Sequence, residues 1–320
     1  MGVKCARGTV GLLAAVAILT GCAVHAPSDE VAAYVDAAIA EMRDGIHADT
    51  NEFRDAVARA APALRAKPTI PETYRGLDEL AVTAGGPHSW LQTPADVASI
   101  TTQNAPGAPF PVPTVSTRDG ISMLTVPGFQ GEDRDAIEQY RSAGLEAMRA
   151  AAPSTTCGWI IDLRTNGGGS AWPMLAVVAP LLDDGDVVGL KRDDTVHWAT
   201  VANGGVVSTP GGDDTATPGG FRVDAPVALL TSGMTNSAAE IVAIAFAGQT
   251  EAVRVGRPTS GMTTGNQVRE LSDGARIILT TSYDVDRTGT VYDGPLVPDI
   301  EVAPGPDLEA ARTAVRSRCA

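Results

Sequence analysis

Lysine is almost missing from this chain: Lys4, Lys67 and Lys191 are all that 320 residues contain. Lysine and arginine together number 24 against 38 acids, for a net charge of −14. That balance disfavours nucleic acid as a partner. Histidine is nearly as scarce, at His25, His47, His88 and His197. The four cysteines, Cys5, Cys22, Cys157 and Cys319, form no CxxC pair and no cluster with histidine, so no zinc site is expected. The main apolar run near the start, residues 11–20, falls short of the ~20 residues a spanning helix needs. The glycine triplet Gly167-Gly168-Gly169 lacks the Lys-Ser/Thr of a phosphate loop and does not have GxGxxG spacing. Neither a metal nor an organic cofactor is expected.

What is present describes a folded, loop-rich globular protein, with 44% hydrophobic residues, 34 glycines and 22 prolines. Lys4 and Arg7 followed by the short apolar run read as an export signal. The run ends in Leu19-Thr20-Gly21-Cys22, which matches a bacterial lipoprotein cleavage box with Cys22 as the acylated residue. The alternative is ordinary cleavage after Ala26. Acyl chains on Cys22 would hold the protein on the outer face of the cell membrane. Cys157 and Cys319 then remain as an even pair in an oxidising compartment and are expected to bridge, pinning the C-terminal helix to the core.

Helical spacing of Val31, Val35, Ala38, Met42 and Ile46 predicts a first helix after Ser28. Asp49-Thr50-Asn51 offers a cap for a second, and a third is expected over residues 73–84, stopped by Gly85-Gly86. Residues 101–113, rich in Pro, Gly and Ala, read as an extended connector. Residues 120–129 read as a strand and residues 132–152 as an amphipathic helix, with Ile137, Tyr140, Leu145 and Met148 on its core face. Residues 157–163 are a buried strand running into RTNGGGS and then a helix opened by Trp172-Pro173. Turn clusters over residues 183–224 suggest a hairpin-rich insertion or flap. A hairpin is expected across Asp273-Gly274, and a final helix over residues 307–319.

Residues 229–248 (LLTSGMTNSAAEIVAIAFAG) carry the strongest chemical signal. A buried strand meets an apolar helix through a turn of small residues, which presents one side chain at its apex and leaves the first helical N–H groups open. Ser237 at that apex suits a nucleophile, with the Ala238 amide facing a developing oxyanion. Ser237-Ala-Ala-Glu240 is equally a capping box, so both readings stand on this stretch alone. His88 sits in the turn GGPHSW, where an imidazole can be held at a cleft edge; a plain turn histidine is the other reading.

Taken in order, IIDLRTNGGGS, TNSAAEI, RVGRPTSG, LSDGARIILT and GPLVPDIEV resemble the landmarks of the tail-specific (carboxy-terminal processing) serine proteases. GGPHSW resembles the histidine segment of the branch containing tricorn protease and interphotoreceptor retinoid-binding protein. The resemblance spans roughly residues 80–302. It implies an α/β fold with a ClpP/crotonase-like core of ββα units and hydrolysis of peptide bonds in peptide or protein substrates. Together with the local patterns above, this gives the expected division: residues 1–21 a signal peptide, 22–100 a helical N-terminal region, 101–306 the catalytic core and 307–320 a C-terminal helix.

Two features depart from the processing proteases. Their base is a lysine, and Met262 stands at the corresponding place. There is also no room for their inserted peptide-binding (PDZ) domain. The resemblance to the histidine branch implies Ser237 as nucleophile, His88 as general base, and Gly168 (or Gly167) with Ala238 as oxyanion donors. For the residue orienting the histidine it implies Asp293, with Tyr292 or Asp286 as alternatives. A non-catalytic peptide- or ligand-binding lipoprotein, or a hydrolase of small esters or amides, on the same core is the competing expectation.

Overall fold

A computed structural model describes residues 29–319 apart from 104, 106, 132, 211–216 and 218. The expected export segment and Cys22 lie outside the described residues, as does part of the 183–224 segment. Two six-stranded sheets form the frame.

Helices α1 (Asp29–Met42), α2 (Asn51–Arg65) and α3 (Tyr74–Gly85) open the fold. Thr50 caps α2, its hydroxyl accepting from Phe53 N–H at 3.2 Å. Val31, Val35, Ala38 and Met42 are buried as their spacing predicts. They pack with Leu77, Leu80 and Phe53 against Leu91, Ile277 and Leu279 of a sheet. The N-terminal helices therefore share a core with strands near the chain's other end.

After β1 (Trp90–Gln92) comes α4 (Pro94–Gln103), which overlaps the segment expected to be an extended connector. It buries no residue along its length, so it shows no apolar periodicity to read. Strands β2 (Thr114–Arg118) and β3 (Ile121–Thr125) form a hairpin. Then come α5 (Arg134–Ala151), β4 (Gly158–Asp162) and α6 (Ala171–Val178). On α5 the buried positions are Tyr140, Gly144 and Met148. Gly144 takes the place expected of Leu145, because a Cβ there would lie 2.6 Å from Val177 of α6.

Strands β5 (Gly185–Arg192), β6 (Thr195–Ala202) and β7 (Gly205–Ser208) follow, then β8 (Val227–Thr231), α7 (Ala238–Ala245) and β9 (Ala252–Gly256). The chain closes with β10 (Thr264–Glu270), β11 (Arg276–Asp286), β12 (Ile300–Glu301) and α8 (Asp307–Arg316). One sheet runs β12-β9-β8-β4-β3-β2, parallel except at the β2 edge. β8, near its centre, is apolar and buried along its whole length, as a parallel strand covered on both faces should be. The other sheet runs β1-β11-β5-β6-β7 with β10 on the other side of β11.

The segment expected as a hairpin-rich insertion or flap, residues 183–224, holds the hairpins β5 to β7. β5 pairs with β11, and Val187, Val188, Ala199, Val201 and Val206 belong to the main core. These hairpins are part of the second sheet and do not lie over it. Cys157 and Cys319 form a disulfide with Cα atoms 5.1 Å apart, joining the entry to β4 with the end of the chain after α8.

Candidate active site

The turn after β8 is sewn to the loop after β4. Ser232 Oγ donates to the Arg164 carbonyl (2.6 Å) and Thr235 Oγ1 to the Leu163 carbonyl (2.9 Å). Asn236 N–H reaches the Asn166 carbonyl at 3.1 Å. These bonds hold Ser237 at φ 53°, ψ −116°. A non-glycine residue in this region costs roughly 1–3 kcal/mol and persists only where its surroundings fix it. The capping box is present as well, with Glu240 accepting the Ser237 N–H at 2.8 Å. A cap alone does not need this backbone, because N-cap residues sit in the β region. Ser237 itself is half-buried at the mouth of α7.

The glycine loop faces this turn. Gly168 has φ 93°, and a Cβ on it would fall 2.8 Å from the Asn236 carbonyl oxygen, 3.0 Å from Ser237 Cβ and 3.3 Å from Ala238 N. Only glycine leaves that space open. The two expected oxyanion donors nevertheless differ. Gly168 N–H donates to Asn166 Oδ1 (2.9 Å), whose Nδ2 in turn holds the Val126 carbonyl (3.0 Å). Ala238 N–H has no partner among the described residues. Gly167, the chain neighbour of Gly168, is exposed.

Glu240, expected to anchor its helix, is the hub of the site. It is fully buried and accepts from Ser237 N–H, Thr259 Oγ1, Ser260 Oγ (3.2 Å), Gly261 N–H (2.9 Å) and Met262 N–H (2.9 Å). One carboxylate so fixes the serine turn to residues 259–262. Behind it, Asp284 of β11 is buried, and among the described residues neither carboxyl oxygen has a hydrogen-bond partner. Burial, and then the nearby Glu240 carboxylate, push its pKa well up.

His88 enters from the other sheet. α3 ends at Gly85, Gly86 turns the chain with φ 82°, and Ser89 Oγ accepts from Thr280 N–H at 2.9 Å. His88 Nδ1 lies 2.8 Å from Thr264 Oγ1, and its carbonyl accepts from Asn266 Nδ2 at 3.0 Å. Burial lowers the imidazole pKa, and a contact with the Thr264 backbone opposes that shift. His88 and Ser237 are therefore both tied to the segment 259–264, one through Thr264 and the other through Glu240.

The candidates for the orienting residue fall in different places. Asp293 is exposed, and its charge is felt by Tyr283, whose pKa rises through burial and then through Asp293. Tyr283 lies directly across from Thr264. Gly294, next to Asp293, bonds Thr263 Oγ1 at 3.1 Å. Asp286 is the last residue of β11 and holds the turn that follows it. It accepts from Thr288 N–H (2.8 Å), Thr290 N–H (3.1 Å) and the hydroxyl of Tyr292 (2.7 Å). Burial works against its charge, but these bonds hold its pKa below the usual carboxylate range. The group against His88 Nδ1 is Thr264, which sequence reasoning missed because a lone threonine carries no motif. Met262 contributes its N–H to Glu240. Among the described residues no group of histidine, cysteine and acids could hold a metal ion.

Residues 120–302 match Peptidase family S41. The nisin-resistance protein of Lactococcus lactis subsp. lactis is 28% identical over 273 residues, covering 84% of this chain and 82% of that protein. A lipoprotein from Streptococcus agalactiae has a similar solved structure: TM-score 0.77, 23% identity, covering 90% of this chain and 96% of that one. The photosystem II D1 C-terminal processing protease is similar in fold at TM-score 0.63 and 14% identity, over 90% of this chain and 98% of that one.

Proposed function

Because the chain belongs to peptidase family S41, we propose that it is a serine peptidase with Ser237 as nucleophile and His88 as general base. The observation that carries this is the positive-φ backbone of Ser237, held against the Gly168 loop at the open end of a helix.

Ser237 Oγ attacks the substrate carbonyl carbon as His88 Nε2 takes the hydroxyl proton. The C–N bond then breaks, and the imidazolium passes that proton to the leaving amine. Water, deprotonated by the same nitrogen, hydrolyses the acyl ester and restores Ser237. Thr264 Oγ1, accepting from Nδ1–H, keeps the lone pair on Nε2. The Ala238 amide faces the oxyanion, a contribution typically of about 3 kcal/mol per donor. The second donor comes from the Gly167-Gly168 loop. Gly168 would first have to release Asn166 to act as that donor, and Gly167 is the alternative. In this scheme Asp293 acts from a distance, by its charge near Tyr283. The reaction uses no cofactor.

The Leu-Thr-Gly-Cys22 box and the likeness in fold to a lipoprotein support an exported protein tethered by lipid to the outer face of the cell membrane. Among the described residues no helix is long and apolar enough to cross a membrane. The likeness to a nisin-resistance protein makes nisin a natural peptide to try beside casein. Purified protein should cut at least one of the two, and Ser237→Ala and His88→Ala should each abolish cutting. Cutting that survives both substitutions would refute the assignment.

A further inference from the structure

Strands β1, β11 and β10 lie side by side around His88. One face of this triplet is covered: Leu91, Ile277 and Leu279 pack under the N-terminal helices, and Arg269 pairs with Asp44 at 2.7 Å. Side chains alternate along a strand, so the residues between these point the other way.

The register arranges that second face in three rows. The first sets Thr280 opposite Asn266, with Thr280 Oγ1 donating to Asn266 Oδ1 (2.8 Å) and Asn266 Nδ2 reaching the His88 carbonyl (3.0 Å). The second is Trp90, Ile278 and Val268, each directly opposite the next. The third is Gln92, Arg276 and Glu270, closed by an ion pair of 3.1 Å. One apolar row thus lies between two polar ones. Trp90 is 38% exposed and Val268 52%, with Ile278 as a floor at 9%. The Trp90 ring stacks beside the His88 imidazole, centroids 6.1 Å apart and planes at 30°. A solvated strand face has no need of tryptophan and valine, and apolar groups left open together mark a contact surface.

We infer that this row is a specificity subsite of the peptidase, a shallow seat for one apolar substrate side chain such as leucine, methionine or phenylalanine. The inference rests on the peptidase reading above. An extended peptide advances about 3.3 Å per residue and repeats its facing every second residue. The row lies two strand residues beyond the one holding His88, so the seated side chain is the second from the cleaved bond. The Arg276–Glu270 pair limits the seat to one residue, because the next side chain facing the same way meets charge.

A tryptic digest of casein, treated with wild type, Trp90→Ser and Val268→Ser, would show the preference in the new peptide ends read by mass spectrometry. Wild type should favour apolar residues at the second position on one side of the cut. Both variants should lose that preference by about tenfold, while still cutting sites with a polar residue there. Val268→Ser changes an exposed position, so it keeps the comparison valid if Trp90→Ser folds poorly. No apolar preference in wild type, or an unchanged preference in Val268→Ser, overturns the subsite. Should wild type cut nothing, the peptidase reading fails by itself, and the seat is then read by binding. Immobilised Ser237→Ala should retain apolar peptides of the same digest, and Ser237→Ala with Val268→Ser should release them. Equal retention by the two would overturn the seat.

Discussion

His88 Nδ1 lies 2.8 Å from Thr264 Oγ1, so the base proposed here is oriented by a threonine on the strand that begins two residues after Met262. Thr264→Val keeps the shape and removes the acceptor. It should lower kcat by about tenfold, the worth of one buried hydrogen bond, with KM little changed. Thr264→Ser should restore most of the rate. Equal rates for wild type and Thr264→Val in steady-state kinetics would show that Thr264 does not orient the base.

The pH profile carries a second signature. Burial lowers the His88 pKa, with a contact to the Thr264 backbone acting against it. A base must be neutral to act, so kcat/KM should fall on the acid side with an apparent pKa below the ordinary imidazole value of about 6.5. The same sign governs stability. A group held neutral in the fold costs stability once pH drops below its unfolded pKa. An acid limb above 7 would contradict the assignment.

Gly168→Ala tests the space in front of Ser237. The new Cβ would sit 2.8 Å from the Asn236 carbonyl oxygen, on a backbone with φ 93°. Thermal melts should show a loss of roughly 1–3 kcal/mol. Whatever folded protein remains should turn over at least about tenfold more slowly, because the clash moves the serine turn. Gly167, with nothing within 4 Å of its Cβ position, should accept alanine with little change in stability.

Asp284 predicts a stability effect of opposite sign to most core substitutions. Its pKa is raised by burial and then by Glu240, so the folded protein holds a proton that the unfolded chain releases above about 3.9. Its contribution is whole below that unfolded value and is lost as pH rises toward the folded one. Asp284→Asn removes this penalty without changing shape. Urea melts should find the variant more stable than wild type at pH 7, with the gain shrinking toward pH 4. A variant less stable at pH 7 than at pH 4, relative to wild type, would show that Asp284 is charged in the fold.

The segments legible in the sequence were those whose signals are local. The buried β8, the small-residue turn and the apolar α7 announce themselves within twenty residues, and Thr50 and the Asp273-Gly274 hairpin carry their own cap and turn chemistry. The end of α4, residues 101–103, falls in the segment that reads as a connector because the helix has no buried face and runs into Pro and Gly. β5 to β7 were read as an insertion because their partner, β11, comes some ninety residues later, beyond any local pattern. Thr264 was invisible for the same reason. It matters only because β1 and β10 flank the same strand, which brings residues 88 and 264 together.

The pairing of Ser237 with His88 is tested most directly by a fluorophosphonate probe, with the modified peptide located by mass spectrometry. The account predicts one adduct, on the Ser237 hydroxyl, absent in Ser237→Ala and at least about a hundredfold slower to form in His88→Ala. Folded wild-type protein that stays unlabelled, or that labels at the same rate without His88, would contradict it.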